Sequence, residues 1–250
     1  MTGKRYAGVM ISEVPFINMP VIFAGCGLDF VIIDTEHGGF DYSTLAGLLM
    51  NARLSGLRTI VRLPDNQRKD ITRMMDMGAG GLLLPMTNSA ADIEKVVEYA
   101  KYAPLGRRGI STTRAHTGYN PPPLEQYMKD ANDYTYIFAQ IETEKGVSSV
   151  SEILSVDGVY GALVGPNDLS CDLGCIGQNG PILEAMERVA EAAFQTQKAC
   201  GIITGNVTLL SAAARMGMTW FSIGSELNML KSGCKAVVKQ VMDLEGSENR

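Results

Sequence analysis

Basic residues are in short supply: 22 Lys and Arg face 27 Asp and Glu, for a formal charge of -5. A chain without a cationic surplus cannot neutralise a phosphate backbone, so nucleic-acid binding is disfavoured. No hydrophobic run approaches the ~20 residues that a membrane helix requires. The longest uncharged stretch near the N-terminus, residues 14–28, is interrupted by Pro15, Asn18 and Pro20 and stops at Asp29. Lys4 and Arg5 precede an apolar segment of only residues 6–11, too short for a secretion leader, and a cytoplasmic location is expected. The five cysteines (Cys26, Cys171, Cys175, Cys200 and Cys234) are odd in number and have no zinc-like spacing, so they are expected to be reduced packing thiols.

Several catalytic signatures are missing too. Gly78-Ala79-Gly80-Gly81 lacks the GxGxxG spacing and no GxxxxGK[ST] occurs, which leaves a nucleotide-phosphate cradle unsupported. There is no GxSxG elbow, and no lysine sits at a strand end where a Schiff base would form: Lys145 lies beyond its strand and Lys231 in the last helical pattern.

What remains is an ordinary globular composition, 46% hydrophobic and 20% charged over 250 residues. A chain of this size buries roughly 70–75% of its unfolded surface. Short β-rich apolar runs recur at residues 6–11, 30–33, 59–61, 81–84, 136–141, 160–164, 201–204 and 219–223, with helical patterns between them. Ile93, Val96, Val97 and Ala100 share one helical face, as do Leu183, Met186, Ala190 and Ala193. Gly78 is placed to end the helix before it. Strands alternating with helices in this way predict an α/β protein, a (β/α)8 barrel in one domain over residues 1–250. Residues 104–134, with three consecutive prolines from Pro121 to Pro123 and a short helix expected at 124–131, break the rhythm; such excursions are often lids or binding loops.

Ionisable residues collect where the strands end. Ile33 runs into Asp34, Glu36 and His37, Val61 into Arg62, Ile141 into Glu142, and Val164 into Gly165-Pro166-Asn167-Asp168. In a parallel barrel those ends converge on one mouth. A single charge at a strand end is ordinarily just where the chain meets water, but four segments converging describe an active site. Glu142 and Asp168, with no clustered cysteine or histidine, suit a hard, oxygen-preferring cation such as Mg²⁺ or Mn²⁺. The competing readings are an ion pair of Glu142 with a neighbouring Arg or Lys145, and Asp168 as a helix cap. Arg62 has the fixed fork of donors that clamps a carboxylate or a developing enolate, unless it is spent on Asp34 or Glu36. His37, between Glu36 and Gly38-Gly39, carries the side-chain type best suited to proton transfer near neutrality; His116, in the excursion, has the weaker claim.

These residues carry a resemblance. Phe30-Val31-Ile32-Ile33-Asp34-Thr35-Glu36-His37, Val61-Arg62, Met75-Asp76-Met77-Gly78-Ala79 running into Leu82-Leu83-Leu84-Pro85-Met86, Gln140-Ile141-Glu142-Thr143 and Gly165-Pro166-Asn167-Asp168-Leu169-Ser170 resemble the HpcH/HpaI family of metal-dependent pyruvate aldolases. The similarity runs from about residue 6 to 240 and includes Gly201-Ile202-Ile203-Thr204 and Phe221-Ser222-Ile223-Gly224-Ser225. The resemblance implies a pyruvate-type TIM barrel with a swapped C-terminal helix, a hexamer built as a trimer of dimers, and reversible cleavage of a 4-hydroxy-2-oxo acid to pyruvate and an aldehyde in aromatic or sugar-acid catabolism. It implies Glu142 and Asp168 as ligands of Mg²⁺ or Mn²⁺, with Co²⁺ a third option. His37, Arg62 and Asp34 would be catalytic, and Asp76 would be lent by a neighbouring subunit to His37. Gln140, Gly165, Pro166, Asn167 and Ser170 would line the substrate side with Arg62. The base is left open between His37 and a metal-bound hydroxide. Loops after His37 and Arg62 depart from the family's usual pattern, leaving the aldehyde open. The rivals are an acyl-CoA thioester lyase, whose CoA phosphates Arg107, Arg108 and Arg114 would serve, and a non-catalytic 2-oxo-acid binding module.

Overall fold

The strands pair in chain order and the last returns to the first, closing an eight-stranded parallel barrel. The computed structural model describes residues 4–245. Its elements are β1 (Tyr6–Ile11), α1 (Met19–Gly25), β2 (Phe30–Asp34), α2 (Tyr42–Leu54), β3 (Arg58–Arg62), α3 (Arg68–Met77), β4 (Gly81–Leu84), α4 (Ala90–Ala100), α5 (Leu124–Tyr134), β5 (Tyr136–Ile141), α6 (Glu144–Ser148), α7 (Val150–Ser155), β6 (Gly161–Val164), α8 (Pro166–Asp172), α9 (Gly180–Thr196), β7 (Ala199–Ile203), α10 (Val207–Arg215), β8 (Trp220–Ser225) and α11 (Glu226–Glu245). This is the (β/α)8 barrel the sequence predicts. Strand ends shift by a residue or two, as at β3 and β7, because ladder pairing rather than apolarity sets them; Arg62 is a strand residue because it pairs with Asp34 and Leu83.

Two apolar cores follow from the alternation of strand side chains. One face fills the barrel with Phe30, Ile32, Ile60, Leu83, Phe138, Leu163 and Trp220. Trp220 stacks on Tyr6 at 4.6 Å and tilts against Phe30 at 4.8 Å. The other face, with Val31, Ile33, Val61, Leu82 and Ile137, packs against the helices. Helix faces obey the same demand: Ile93, Val96, Val97 and Ala100 of α4 are buried as expected. On α9 the buried stripe runs through Ile182, Ala185, Met186, Val189, Ala192 and Ala193, so Leu183 and Ala190 sit at its edge and only half-buried. Gly78 closes α3 in the left-handed conformation at φ 98°.

The excursion is not a lid on its own barrel. It leaves the end of α4 and enters the start of β5, so the topology keeps it on the face opposite the C-terminal mouth, and His116 packs over Gly78 at the end of α3. Its order beyond α5 is one 3-10 turn, Ala115–Thr117. Buried Lys101 secures it by donating to the carbonyls of Asn132 and Thr135, and burial pushes that ammonium down to about 8.

From Glu226 onward α11 spans 20 residues, ~30 Å at the helical rise. It leaves Met229, Leu230, Val237, Val238, Val241 and Met242 exposed. Among the described residues no helix is long and apolar enough to cross a membrane. All five cysteines are free thiols; Cys175 and Cys200 are buried as expected, whereas Cys26, Cys171 and Cys234 are exposed and are not packing residues.

Candidate active site

The mouth continues the period-two rows of the barrel interior. The residue two positions after buried Ile32 is Asp34, after Ile60 Arg62, after Phe138 Gln140 and then Glu142, and after Leu163 Gly165. Each row turns from apolar to polar as it reaches the C-terminal end, so strand geometry alone aims these groups into one bowl.

Arg62 and Asp34 form its most rigid part. Arg62 Nε donates to Asp34 Oδ1 at 2.9 Å and Nη2 to Oδ2 at 2.7 Å, a bidentate pair on adjacent strands with both residues buried. Arg62 Nη1 lies 3.1 Å from Glu36 Oε2. Burial works against the guanidinium charge, but Asp34, followed by Glu36 and Glu142, outweighs it and moves the Arg62 pKa up. The ion pair weighed as an alternative is therefore real, and it orients the fork. Asp34 Oδ1 also accepts the backbone N–H of Glu36 at 3.0 Å and of His37 at 3.4 Å, so one carboxylate holds both the arginine and the loop that carries the histidine.

His37 Nε2 lies 3.9 Å from Glu36 Oε2, and its side chain is 74% exposed. Glu36 was legible as a strand-end acid but not as the bridge between Arg62 and His37. Burial raises its pKa, against the lowering by Arg62 and His37.

Across the bowl, Glu142 is 2% exposed and makes no salt bridge to Lys or Arg among the described residues, contrary to the ion-pair alternative. Its Oε1 accepts the backbone N–H of Met86 at 2.6 Å and its Oε2 the Gln140 side-chain amide. Met86 is the residue sequence reasoning passed over: a non-glycine at φ 48°, just after Pro85, whose backbone turns to meet the carboxylate. Burial pushes Glu142 up to about 7, with the Asp168 charge adding to the rise. Asp168 follows Gly165, Pro166 and Asn167 in the first turn of α8, where it makes no capping bond; Gly165 holds the cap position. The Ser170 hydroxyl donates back to the Asn167 carbonyl at 2.7 Å.

Two carboxylates, Glu142 and Asp168, interact across this space with oxygen donors only. Among the described residues no group of three or more His, Cys, Asp or Glu gathers closely enough to hold a metal alone. Such a pair leaves most coordination positions to water or substrate oxygens, as Mg²⁺ and Mn²⁺ accept. Two observations fit a cation here. A Cβ on Gly165 would stand 2.6 Å from Glu142 Oε2, so glycine keeps the carboxylate approachable, and Gln140 Oε1 is buried without a hydrogen-bond partner.

Asp76 is not among these residues. It lies at the far end of α3, with Oδ1 2.9 Å from Arg108 Nη2 and 3.8 Å from His116 Nε2. His116 packs against Ser111 and Tyr127, and burial, then Arg108, lowers its pKa.

At the C-terminal mouth of this parallel barrel a buried Arg–Asp pair, an accessible imidazole and two carboxylates come together, the arrangement expected of a (β/α)8 enzyme. Residues 17–232 match the HpcH/HpaI aldolase/citrate lyase family, and the chain belongs to that family. A 4-hydroxy-2-oxo-heptane-1,7-dioate aldolase of Salmonella dublin is 31% identical over 219 residues, covering 86% of this chain and 82% of the relative. The crystal structure of an HpcH/HpaI aldolase from Desulfitobacterium hafniense DCB-2 superposes with a TM-score of 0.90 at 31% identity, over 95% of this chain and 93% of the other. The citrate synthase SbnG shares the fold with a TM-score of 0.86 at 25% identity, over 97% and 95%. By this membership the protein is an aldehyde-lyase of a divalent-metal-dependent family.

Proposed function

We propose that the protein reversibly cleaves a 4-hydroxy-2-oxo acid to pyruvate and an aldehyde. The observation that carries the reading is the Arg62–Asp34 pair facing Glu142 and Asp168 across one bowl. Glu142 and Asp168 would hold Mg²⁺ or Mn²⁺, which when bound supplies Lewis acidity to a chelating 2-oxo acid. Arg62, fixed by Asp34, donates to the C2 oxygen that gains negative charge. His37 takes the C4 hydroxyl proton; the C3–C4 bond breaks, C4 leaves as the aldehyde carbonyl, and the electron pair moves through C3 to the C2 oxygen as an enolate. A proton returned to C3 completes pyruvate. Gln140 and the segment containing Gly165, Pro166, Asn167 and Ser170 line the pyruvate half. A cytoplasmic location is part of the same proposal.

The thioester-lyase alternative loses support from the arginines that motivated it. Arg108 is buried and paired with Asp76, and Arg107 and Arg114 sit on the excursion, away from their own barrel's mouth. The partners proposed are a small 2-oxo acid and further copies of the chain, with α11 exchanged within dimers and three dimers in a hexamer.

The test needs no knowledge of the aldehyde. In D₂O with Mg²⁺ or Mn²⁺, the methyl protons of pyruvate are expected to exchange, and chelator should stop the exchange. Folded, metal-loaded protein that leaves the methyl signal intact would overturn the reading. The place of Asp76 has its own measurement. If it serves a neighbour's His37, inactive His37→Ala and Asp76→Asn chains should regain activity when mixed and allowed to exchange subunits, because one pairing restores both groups at a single mouth. A mixture as inactive as its components would remove Asp76 from the site.

A further inference from the structure

We infer that Glu226, at the root of α11, is a positioning residue that holds the His37 loop in register through Ser12 and Gly38; the inference rests on the role given to His37 above. Glu226 is 1% exposed, and among the described residues it pairs with no cation. Its Oε1 accepts three successive backbone N–H groups from the turn after β1: Ser12 at 2.9 Å, Glu13 at 2.6 Å and Val14 at 3.1 Å. Oε2 lies 3.5 Å from the Ser12 hydroxyl. Three donors aimed at one oxygen make a backbone nest that a carboxylate fills. Without it, three part-buried backbone N–H groups would lose the acceptor that fixes the turn.

The turn held in this way reaches the site. A Cβ on Gly38 would stand 2.9 Å from the Ser12 carbonyl oxygen and would collide with the Asp34 carbonyl, so Gly38 lies directly against the segment that Glu226 anchors. His37 is the preceding residue. The loop is thus gripped from two sides: by the Asp34 carboxylate through the N–H groups of Glu36 and His37, and by the Ser12 backbone at Gly38. His37 itself is mostly exposed and Glu36 stands 3.9 Å away, so backbone placement, not side-chain packing, sets where the imidazole sits. A displacement of about 1 Å at such a group costs on the order of 100-fold in rate. Because Glu226 is also the first residue of α11, the same three bonds connect the attitude of that exposed helix to the mouth.

Glu226→Ala is expected to lower kcat for retro-aldol cleavage of a 4-hydroxy-2-oxo acid, the reaction in which His37 takes the C4 hydroxyl proton, by at least 10-fold, with KM within about 2-fold, since Arg62, Glu142 and Asp168 are untouched. Glu226→Gln keeps an acceptor oxygen and should return kcat to within about 3-fold of wild type. Amide hydrogen exchange at Glu36, His37 and Gly38 should quicken in the Ala variant alone, and the His37 imidazole resonance should move with it. If Glu226→Ala does not fold, Glu226→Asp, which withdraws the oxygen by one methylene, should show the same kcat loss and loop exchange. A lowered Tm with unchanged kcat, loop exchange and His37 resonance would overturn the inference, as would a Gln variant as impaired as Ala. The loop measurements do not need turnover, so absence of pyruvate exchange in the wild type would count against the aldolase reading and leave Glu226 to be judged on them.

Discussion

Arg62→Lys should lower metal-dependent pyruvate exchange and retro-aldol cleavage together by about 10²–10³-fold, with the fold intact. Lysine keeps the charge, so the loss isolates geometry. The ammonium is a single point of three donors, whereas Arg62 spends Nε and Nη2 on the two oxygens of Asp34 and directs Nη1 to Glu36. A lysine that satisfies Asp34 has no second, rigidly spaced nitrogen to present where the enolate oxygen forms. Stability should fall modestly, because the Asp34 carboxylate keeps a cation and the N–H groups of Glu36 and His37 but loses one of the two hydrogen bonds from residue 62. The decisive readout is kcat. A variant impaired only in KM would mean that Arg62 binds the ground state and transition state alike.

Glu142→Gln is the second large effect, and its two halves have opposite signs. Activity should fall by at least about 10³-fold and Mn²⁺ affinity by more than the 10- to 100-fold typical of losing an outer partner, because a ligand itself is lost. Stability of the metal-free protein should hold or rise. Burial, opposed by the Met86 N–H and the Gln140 amide and assisted by the Asp168 charge, leaves the Glu142 carboxyl at about 7 against an ordinary 4.5. A carboxyl whose folded pKa lies above its unfolded value contributes stability that is fully present below 4.5 and is lost as pH rises through about 7. Metal-free wild type should therefore lose stability relative to Glu142→Gln across that window, and saturating Mg²⁺ should reverse the order near neutrality. Thermal melts of both proteins from pH 4.5 to 8, with and without the ion, measure this. A Gln variant that binds Mn²⁺ as wild type does would remove Glu142 from the metal site.

The barrel was legible because buried parallel strands are short, apolar and evenly spaced, and the helices between them carry their own stripe. The strand-end acids, Arg62 and His37 were legible for the same reason: once the strands are placed, parallel connections leave their C-terminal ends at one mouth. Exposure of individual cysteines was not legible, since Cys171 and Cys175 differ in exposure across a single turn. Nor was the side taken by residues 104–134. Their prolines and arginines resemble a binding loop, but the direction of the chain, from helix end to strand start, puts them behind the barrel.

The sequence by itself determined the strand and helix alternation, the residues delivered to the mouth and, through those residues, the family. Tertiary structure decided what each polar atom spends itself on. Arg62 is shared between Asp34 and Glu36, Glu142 is held by a backbone N–H from Met86, and Glu226 collects three amides from a turn 212 to 214 residues earlier in the chain. The physical reason is that periodicity follows from burial, which each segment expresses locally, whereas a hydrogen bond depends on distances of tenths of an ångström between groups that only the closed barrel brings together.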